Sequence, residues 1–278
     1  MFSKNYYCLV AGLREWTLDA DTKGFDAKAI VGEILEDLSA GDAEAVRLLH
    51  TGYDCQNIIA RREGRTYHNP LGNLSPDQVE EVLGGRYDAL PRSLAAVMAA
   101  YADPEGEHAE SIDVESRFEK SLFEAYYAEL AASKCRFLRE WGAFDRNLRN
   151  IAAAVAARVA SRPIDEVVVG SGDVVEQLVR SSAADFGLRG ELPYIDSVIT
   201  AIADESDLVE KEHKIDLIRW NQADELSVFD YFNINTILSY IVKVDIVARW
   251  SVLSPEKGRQ MLDRLMSELD AKELVNKQ

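Results

Sequence analysis

Three short stretches decide the expected fold of this chain: Asn57-Ile58-Ile59-Ala60, Asn150-Ile151-Ala152-Ala153 and Asn235-Thr236-Ile237-Leu238. In each stretch an Asn precedes small or apolar residues that suit a helix. The Asn residues lie 93 and 85 residues apart. A basic residue follows each Asn by eight positions, at Arg65, Arg158 and Lys243. Because self-similarity at a regular spacing is the mark of repeated units, the pattern predicts three related helical units in a pseudo-threefold arrangement.

The length of 278 residues fits this division, since single cores stop growing near that size and split into sub-domains. We expect the units to span residues 1–74, 75–170 and 171–278. Glycine and proline residues between Gly64 and Pro76 predict a loop at the first boundary. The aromatic and apolar stretch Tyr6–Leu13 predicts a short strand or an extended N-terminal arm that packs on the body.

Hydrophobic periodicity predicts a mostly α chain. Individual features include Asp42 as the N-cap of a second helix, Ser75 as a cap with Pro76 at the first helical position, and Asp173 as another N-cap or as the end of a short strand. The predicted helices cover Phe25–Leu38, the segment after Asp42, Pro76 to Gly84, one long helix from Val114 to Trp141, Asn150–Val159, Val174–Ser181, Pro193–Ile202, Asp207–Asn221, Leu226–Trp250 and a last helix starting at Ser254.

Composition excludes several classes of function. The chain carries 48 acidic and 31 basic residues, a formal net charge of -17, which repels the phosphates of nucleic acids and anionic lipid head groups. Charged residues interrupt the apolar segment Leu226–Val252, so it predicts a buried helix and not a membrane span. Three cysteines without paired spacing and an N-terminus without an apolar signal segment favour a reducing, cytoplasmic location.

Residues that could carry chemistry form no recognised pattern. Glu210 and His213 have ligand-like helical spacing, but a di-metal site would need a second such pair. The intervals among His50, Cys55 and His68 match no usual zinc site. The sequence also lacks a complete phosphate-binding loop and a Gly-x-Ser-x-Gly nucleophile motif. We therefore expect a protein without catalytic residues, cofactor or metal, and consider a helical-bundle metalloprotein the less favoured alternative.

The repeated Asn has a physical use of its own. An amide near the start of a helix can accept a bond from a free backbone N–H and donate one to a neighbouring carbonyl. Such a polar clasp could fix how the helices of each unit meet, and the basic residue that follows could pair with an acidic partner or face solvent. Chance recurrence of so short a pattern in a helical chain is the alternative.

Longer stretches around these positions resemble a known family. Tyr6–Leu13, Tyr53–Ile58 and Phe229–Tyr240 resemble an uncharacterised bacterial family associated with V-type ATP synthases. That family is similar to the socket-forming component of the central stalk in archaeal, bacterial and eukaryotic V/A-type ATPases. The resemblance implies three helical units, each with an acidic residue and an Asn leading into a helix.

Six residues are candidates for this structural repeat on the resemblance and the Asn pattern together: Asp54, Asn57, Asn150, Asp230, Asn233 and Asn235. The middle unit departs from the family pattern, because Phe144-Asp145-Arg146-Asn147 stands where Asp-x-x-Asn is expected. No residue of a partner contact is carried over from the family.

The resemblance implies a mechanical role without ATP binding. The protein would be a funnel-shaped socket that caps the membrane rotor ring and receives the foot of the rotating shaft. Its partners would be the shaft and membrane rotor subunits of the ATPase, and it would be peripheral to the membrane through that complex. A free-standing helical adaptor that binds other proteins is the alternative.

Overall fold

Helices form every regular element in the described part of the chain, so the prediction of a mostly α fold is confirmed. The computed structural model describes residues 4–18, 24–106, 112–113, 116–203 and 208–252. The helices are α1 Tyr7–Gly12, α2 Ala27–Asp37, α3 Ala40–Arg62, α4 Pro76–Leu83, α5 Arg92–Ala102, α6 Phe118–Ala132, α7 Arg136–Val159, α8 Asp173–Arg180, α9 Ile195–Ala203, α10 Leu208–Ser227 and α11 Ile234–Val252. The helix predicted from Ser254 lies outside the described residues.

Helix α7 lies at the centre and packs against α6, α8, α9, α10 and α11. Its apolar residues recur on more than one face, and Phe137, Leu138, Leu148 and Ile151 are almost completely buried. A helix that is apolar on most of its surface needs neighbours on most sides. On one side α6 joins α7 to α3 and α5, while on another α10 joins it to α9 and α11. The pseudo-threefold arrangement remains a prediction.

Local sequence explains several helix boundaries. Ser75 caps α4: its hydroxyl accepts from Gln78 N at 3.2 Å and the Gln78 side chain accepts from Ser75 N at 2.9 Å, with Pro76 at the first helical position. This reciprocal pair is a capping box, and Gly84 ends the helix as expected. The loop predicted between Gly64 and Pro76 is also present.

Three predictions about helix starts were wrong. The Tyr7–Gly12 segment is a short helix and not a strand or extended arm, although residues 4–6 and 13–17 are irregular. Ser39, not Asp42, is the N-cap of α3: its hydroxyl accepts from Asp42 N at 3.4 Å and donates to the Asp42 carboxylate at 2.8 Å. Asp173 is the first residue of α8, and Gly172 precedes it with φ 114°, a left-handed conformation that glycine favours. A small residue before an acidic one therefore marks both starts better than the acid itself.

Two predicted helices are divided or shortened. The long helix expected between Val114 and Trp141 is interrupted at Ser133, where α6 ends and the chain turns into α7. Ser133 has extended backbone and its hydroxyl accepts from Cys135 N at 3.2 Å, which offers the chain an alternative to helical bonding. The helix expected from Leu226 starts only at Ile234, after α10 has ended. In both places the apolar pattern continues across a turn, so periodicity alone does not show the break.

The turn at Ser133 folds α6 and α7 side by side, and Gly142 is the point of closest approach. A Cβ atom on Gly142 would lie 2.8 Å from Leu130 Cβ, a distance that real Cβ atoms do not tolerate. Gly32 in α2 provides a contrast, since a Cβ atom there would meet nothing within 4 Å. No helix among the described residues is long and apolar enough to cross a membrane.

We expect Gly142→Ala to lower the free energy of unfolding by about 1–3 kcal/mol, because the added methyl group overpacks the α6–α7 contact. Gly32→Ala is the matched control, and its better helix propensity is expected to raise the free energy of unfolding by up to about 1 kcal/mol. Urea denaturation of both variants measures the difference. Equal effects at the two glycines would contradict the close approach at Gly142.

Candidate functional site

Asn57 and Asn150 occupy equivalent surroundings. Asn57 Oδ1 accepts from the backbone N–H of Asn69 at 2.7 Å, and its Nδ2 donates to the carbonyl of the same residue at 3.1 Å. Asn150 makes the same pair of bonds to Val169, at 2.8 and 2.9 Å. We call each arrangement an amide clasp. Each clasp attaches a long helix, α3 or α7, to the loop that leads into the next helix.

Both clasps start from the body of a helix, contrary to the expectation that the Asn would stand near a helix start. A side-chain amide carries one donor group and one acceptor, so it can satisfy both polar groups of a peptide unit at once. Asn150 is completely buried, and the peptide groups of Val169 have little access to water. Buried backbone groups must be paired, which explains why an amide is placed at this depth.

Asp54 reinforces the first clasp one turn earlier in α3. Its carboxylate accepts from Leu74 N at 2.9 Å and from the Asn73 side chain at 2.7 Å. Burial raises the pKa of Asp54 above its ordinary value, although these two bonds act in the opposite direction. The corresponding position before the second clasp is Asn147, whose Oδ1 is buried without a hydrogen-bond partner in the described chain. The two clasps thus share the amide and differ in its support.

The third Asn is placed differently. Asn235 lies in the first turn of α11, and its Oδ1 accepts from Phe137 N at 3.3 Å at the start of α7. Asn233 Oδ1 accepts from Asn235 N at 2.9 Å, and Asp230 accepts from both Asn side chains, at 2.5 and 3.2 Å. Partial burial opposes ionisation of Asp230, but the bonds from Asn233, Asn235 and Arg136 lower its pKa below the ordinary value. Here the acid and the Asn do lead into a helix, as the resemblance implied.

The basic residues eight positions after each Asn have no common role. Arg65 lies beyond the end of α3 and pairs with Glu63 at 2.5 Å. Arg158 donates to two backbone carbonyls between α8 and α9, both at 2.8 Å. Lys243 pairs with the Asp224 carboxylate at 2.6 Å. The structure therefore supports the amide part of the repeated pattern in two copies and gives the basic part no shared partner.

Replacing Asn150 by Ala is expected to lower the free energy of unfolding by about 2–5 kcal/mol, because it leaves both buried polar groups of Val169 unpaired. Asn147→Ala is the control in the same helix, since Oδ1 of Asn147 makes no hydrogen bond in the described chain. Its cost should be smaller by at least about 1 kcal/mol. Thermal and urea unfolding compare the two variants, and similar losses would show that the clasp is not the source of the effect.

A large cleft lies among the long helices. Its volume is about 1220 Å³, and it is lined by residues of α2, α3, α6, α7, α10 and α11. Each of the three sequence units predicted above contributes two of these helices. Aromatic side chains on its walls include Tyr53, Phe123 and Trp141. The cleft is thus the place where the predicted units face one another.

Ion pairs connect three helices along this cleft. Arg219 of α10 lies 3.7 Å from the Asp145 carboxylate of α7 and 2.8 Å from that of Asp216. Asp216 also accepts from Arg249 of α11 and from the Trp250 indole, at 2.8 and 2.9 Å. Burial alone would lower the pKa of Arg219, but Asp145 and Asp216 raise it above its ordinary value. These four charged residues hold α7, α10 and α11 together at the cleft wall.

Arg149 forms a second polar group on the same wall. Its Nε donates to the Tyr127 hydroxyl at 3.1 Å, and that hydroxyl donates to Asp145 at 2.7 Å. The Arg149 guanidinium lies over the Phe123 ring, 3.9 Å from its centroid. Burial, together with the charge of Asp145, raises the pKa of Tyr127 well above its ordinary value. Tyr127 therefore acts as a neutral donor between the two charged groups.

The pair His50 and Asp245 joins α3 to α11 across 195 residues of sequence. His50 Nε2 lies 3.1 Å from Asp245 Oδ2, and both side chains are 6% exposed. Burial by itself would lower the pKa of His50, but the carboxylates of Asp245 and Asp54 raise it above 6.5. Local spacing could not reveal this contact. The available signal was an acidic residue among the apolar residues of an otherwise buried helix.

A folded-state pKa above the unfolded value means that the His50 pair stabilises the fold most at low pH. Its contribution is complete below about pH 6.5 and is lost as pH rises through the folded-state pKa. The loss of stability caused by His50→Gln should therefore be greater at about pH 5.5 than at about pH 8.5. Chemical denaturation at both pH values tests this, with His68→Gln as the control because His68 pairs with no carboxylate in the described chain. A pH-independent loss at His50 would contradict the proposed ionisation.

Other combinations considered from the sequence do not converge. Among the residues that the structure describes, no group of three or more His, Cys, Asp or Glu side chains could hold a metal ion. Cys55 is completely buried in α3, and burial raises the pKa of its thiol far above the ordinary range. His213 contacts the Trp250 ring, with 5.4 Å between the centroids.

The fold and the cleft together define an all-helical protein with charged pairs and aromatic walls at its centre. The chain belongs to a family described as protein of unknown function (DUF2764), whose profile matches residues 3–271. This match includes both amide clasps and every named residue of the cleft. No curated protein matches the chain in sequence.

Proposed function

We propose that this protein is a non-enzymatic central-stalk component of a V/A-type rotary ATPase, where it links the central shaft to the membrane rotor ring. The observation that carries the proposal is the cleft, which is lined by two helices from each of the three predicted units. A socket for a shaft requires an opening at the centre of such an arrangement. The resemblance of Tyr6–Leu13, Tyr53–Ile58 and Phe229–Tyr240 to the V-type family supplies the identity of the proposed assembly.

The size of the cleft supports a macromolecular occupant. Small-molecule pockets commonly measure about 300–1,000 Å³. A volume of about 1220 Å³ would accept roughly ten residues of a helix about 10 Å wide. The tip of a helical shaft therefore suits the space better than a small substrate does.

A torque-transmitting part must also keep its shape under load. The amide clasps attach two of the long helices to the loops after them, and the ion pairs of Asp216 join α10 to α11. Breaking one member of a buried charged pair is costly, so such contacts resist sliding of one helix on another. In the proposed role the protein resides in the cytoplasm, associates with the membrane only through the complex, and takes part in proton or sodium transport without binding either ion.

One observation favours a second candidate, a free-standing adaptor that binds other proteins. Phe229 is 88% exposed and Tyr231 is 69% exposed, and Phe232 lies beside Tyr7 with 4.6 Å between the ring centroids. Exposed aromatic side chains in a group often mark protein contacts. In the ATPase this surface would contact a neighbouring protein of the complex, whereas an adaptor would use it for partners outside the ATPase.

Filling the cleft separates these possibilities. Ala248 lines the cleft from α11 and is half-buried, so Ala248→Trp should occupy the space and weaken binding of the cognate V-type shaft protein at least about tenfold through steric exclusion. Ala131→Trp is the matched control, because Ala131 is exposed on α6 and does not line the cleft. Co-expression with the shaft and rotor subunits, followed by affinity purification and titration, measures the effect.

Two results would overturn the central-stalk proposal. One is recovery of the wild-type protein in mild detergent without shaft or rotor subunits when these are co-expressed. The other is full shaft binding by the Ala248→Trp variant. Partners from outside the ATPase that depend on Phe229 and Tyr231 would instead support the adaptor.

A further inference from the structure

Asp245 presents an unusual acceptor to the cleft. Its side chain lines the cleft, is only 6% exposed, and uses Oδ2 for the contact with His50. Its second oxygen, Oδ1, is buried without a hydrogen-bond partner in the described chain. Nearly all buried polar atoms have a partner, so an unpaired carboxylate oxygen calls for an explanation.

The cleft contains basic residues of its own, but they are bound to other groups. Arg219 and Arg249 hold Asp216, and Arg149 bonds to the Tyr127 hydroxyl. The buried Tyr53 hydroxyl interacts with the Asp245 carboxylate, yet Oδ1 still has no donor. The donor that would complete Asp245 is therefore absent from the described residues and could come from a bound partner through the cleft.

We propose that Asp245 Oδ1 accepts a hydrogen bond from one lysine or arginine side chain at the tip of the shaft segment that enters the cleft. This inference rests on the proposed function and names the chemistry of the contact. A carboxylate accepts only, and ammonium and guanidinium groups donate only, so the pair is complementary in both charge and hydrogen bonding. The aromatic walls formed by Tyr53, Phe123 and Trp141 suit the carbon stem of such a side chain. The net charge of -17 draws basic segments toward the protein.

The first experiment titrates the purified cognate shaft protein into wild-type protein and into Asp245→Asn. Asn keeps the shape of the side chain and removes its charge, so we expect the affinity to fall by about 10- to 100-fold. Asp88→Asn is the matched control, because Asp88 is exposed and does not line the cleft. Its affinity should equal that of the wild-type protein. Circular dichroism and cooperative unfolding verify that each variant is folded.

A double-mutant cycle then identifies the partner residue. Each lysine or arginine at the tip of the shaft is replaced by Gln and tested against wild-type protein and Asp245→Asn. One replacement should weaken binding to the wild-type protein about tenfold or more and add little to the loss already caused by Asp245→Asn. If Asp245→Asn fails to fold, the shaft variants are tested against the wild-type protein alone, and the absence of any sensitive basic residue overturns the inference.

The outcomes separate this inference from the proposed function. Failure of the wild-type protein to bind the shaft would remove the central-stalk proposal and this contact with it. Equal shaft affinities for the wild-type protein and Asp245→Asn would overturn the contact alone. Free agmatine serves as a last probe: its binding at Asp245, with shaft affinity unchanged by Asp245→Asn, would assign the acceptor to a small amine and overturn the contact with the shaft.

Discussion

The hydrogen bonds between Asn150 and Val169 are the constraint on which the rest of the structure depends. They lie in the most buried part of α7, the helix that packs against α6, α8, α9, α10 and α11. Because a peptide group in such a place must be fully paired, the chain can pass there only if a side chain offers both a donor and an acceptor. Asn57 solves the same problem for α3 and Asn69. The position of the long helices follows from these two contacts together with the apolar packing around them.

Charge is distributed in a way that complements these contacts. Although the chain is strongly acidic as a whole, the inner wall of the cleft carries arginines paired with carboxylates, at Arg219 with Asp216 and Asp145 and at Arg249 with Asp216. Pairing keeps the cost of burying each charge low. The walls are therefore polar enough to guide a partner and fixed enough to keep the opening. Asp245 is the exception, since one of its oxygens is buried without a donor in the described chain.

The sequence allowed the mostly α class and the start of α4 to be predicted, because helical periodicity and the Ser75-Pro76 cap are local signals. It did not reveal the turn at Ser133, since Leu130 and Phe137 continue one apolar stripe on both sides of it. Asn57 and Asn150 could be selected from their repetition, but their depth within the helices depends on loops 12 and 19 residues later. The His50–Asp245 pair depends on two helices far apart in sequence, and no spacing rule could have joined them.

The two clasps reach unequal distances along the chain, and this has a consequence for how the loops can change. Twelve residues separate Asn57 from Asn69, and nineteen separate Asn150 from Val169. Each clasp thus anchors the far end of a loop and leaves its path free. Insertions before Asn69 or Val169 can be accommodated as longer excursions at the surface, whereas insertions after Val169 would shift the start of α8 against its anchor. Length variation among relatives should accordingly accumulate on the upstream side of each anchor.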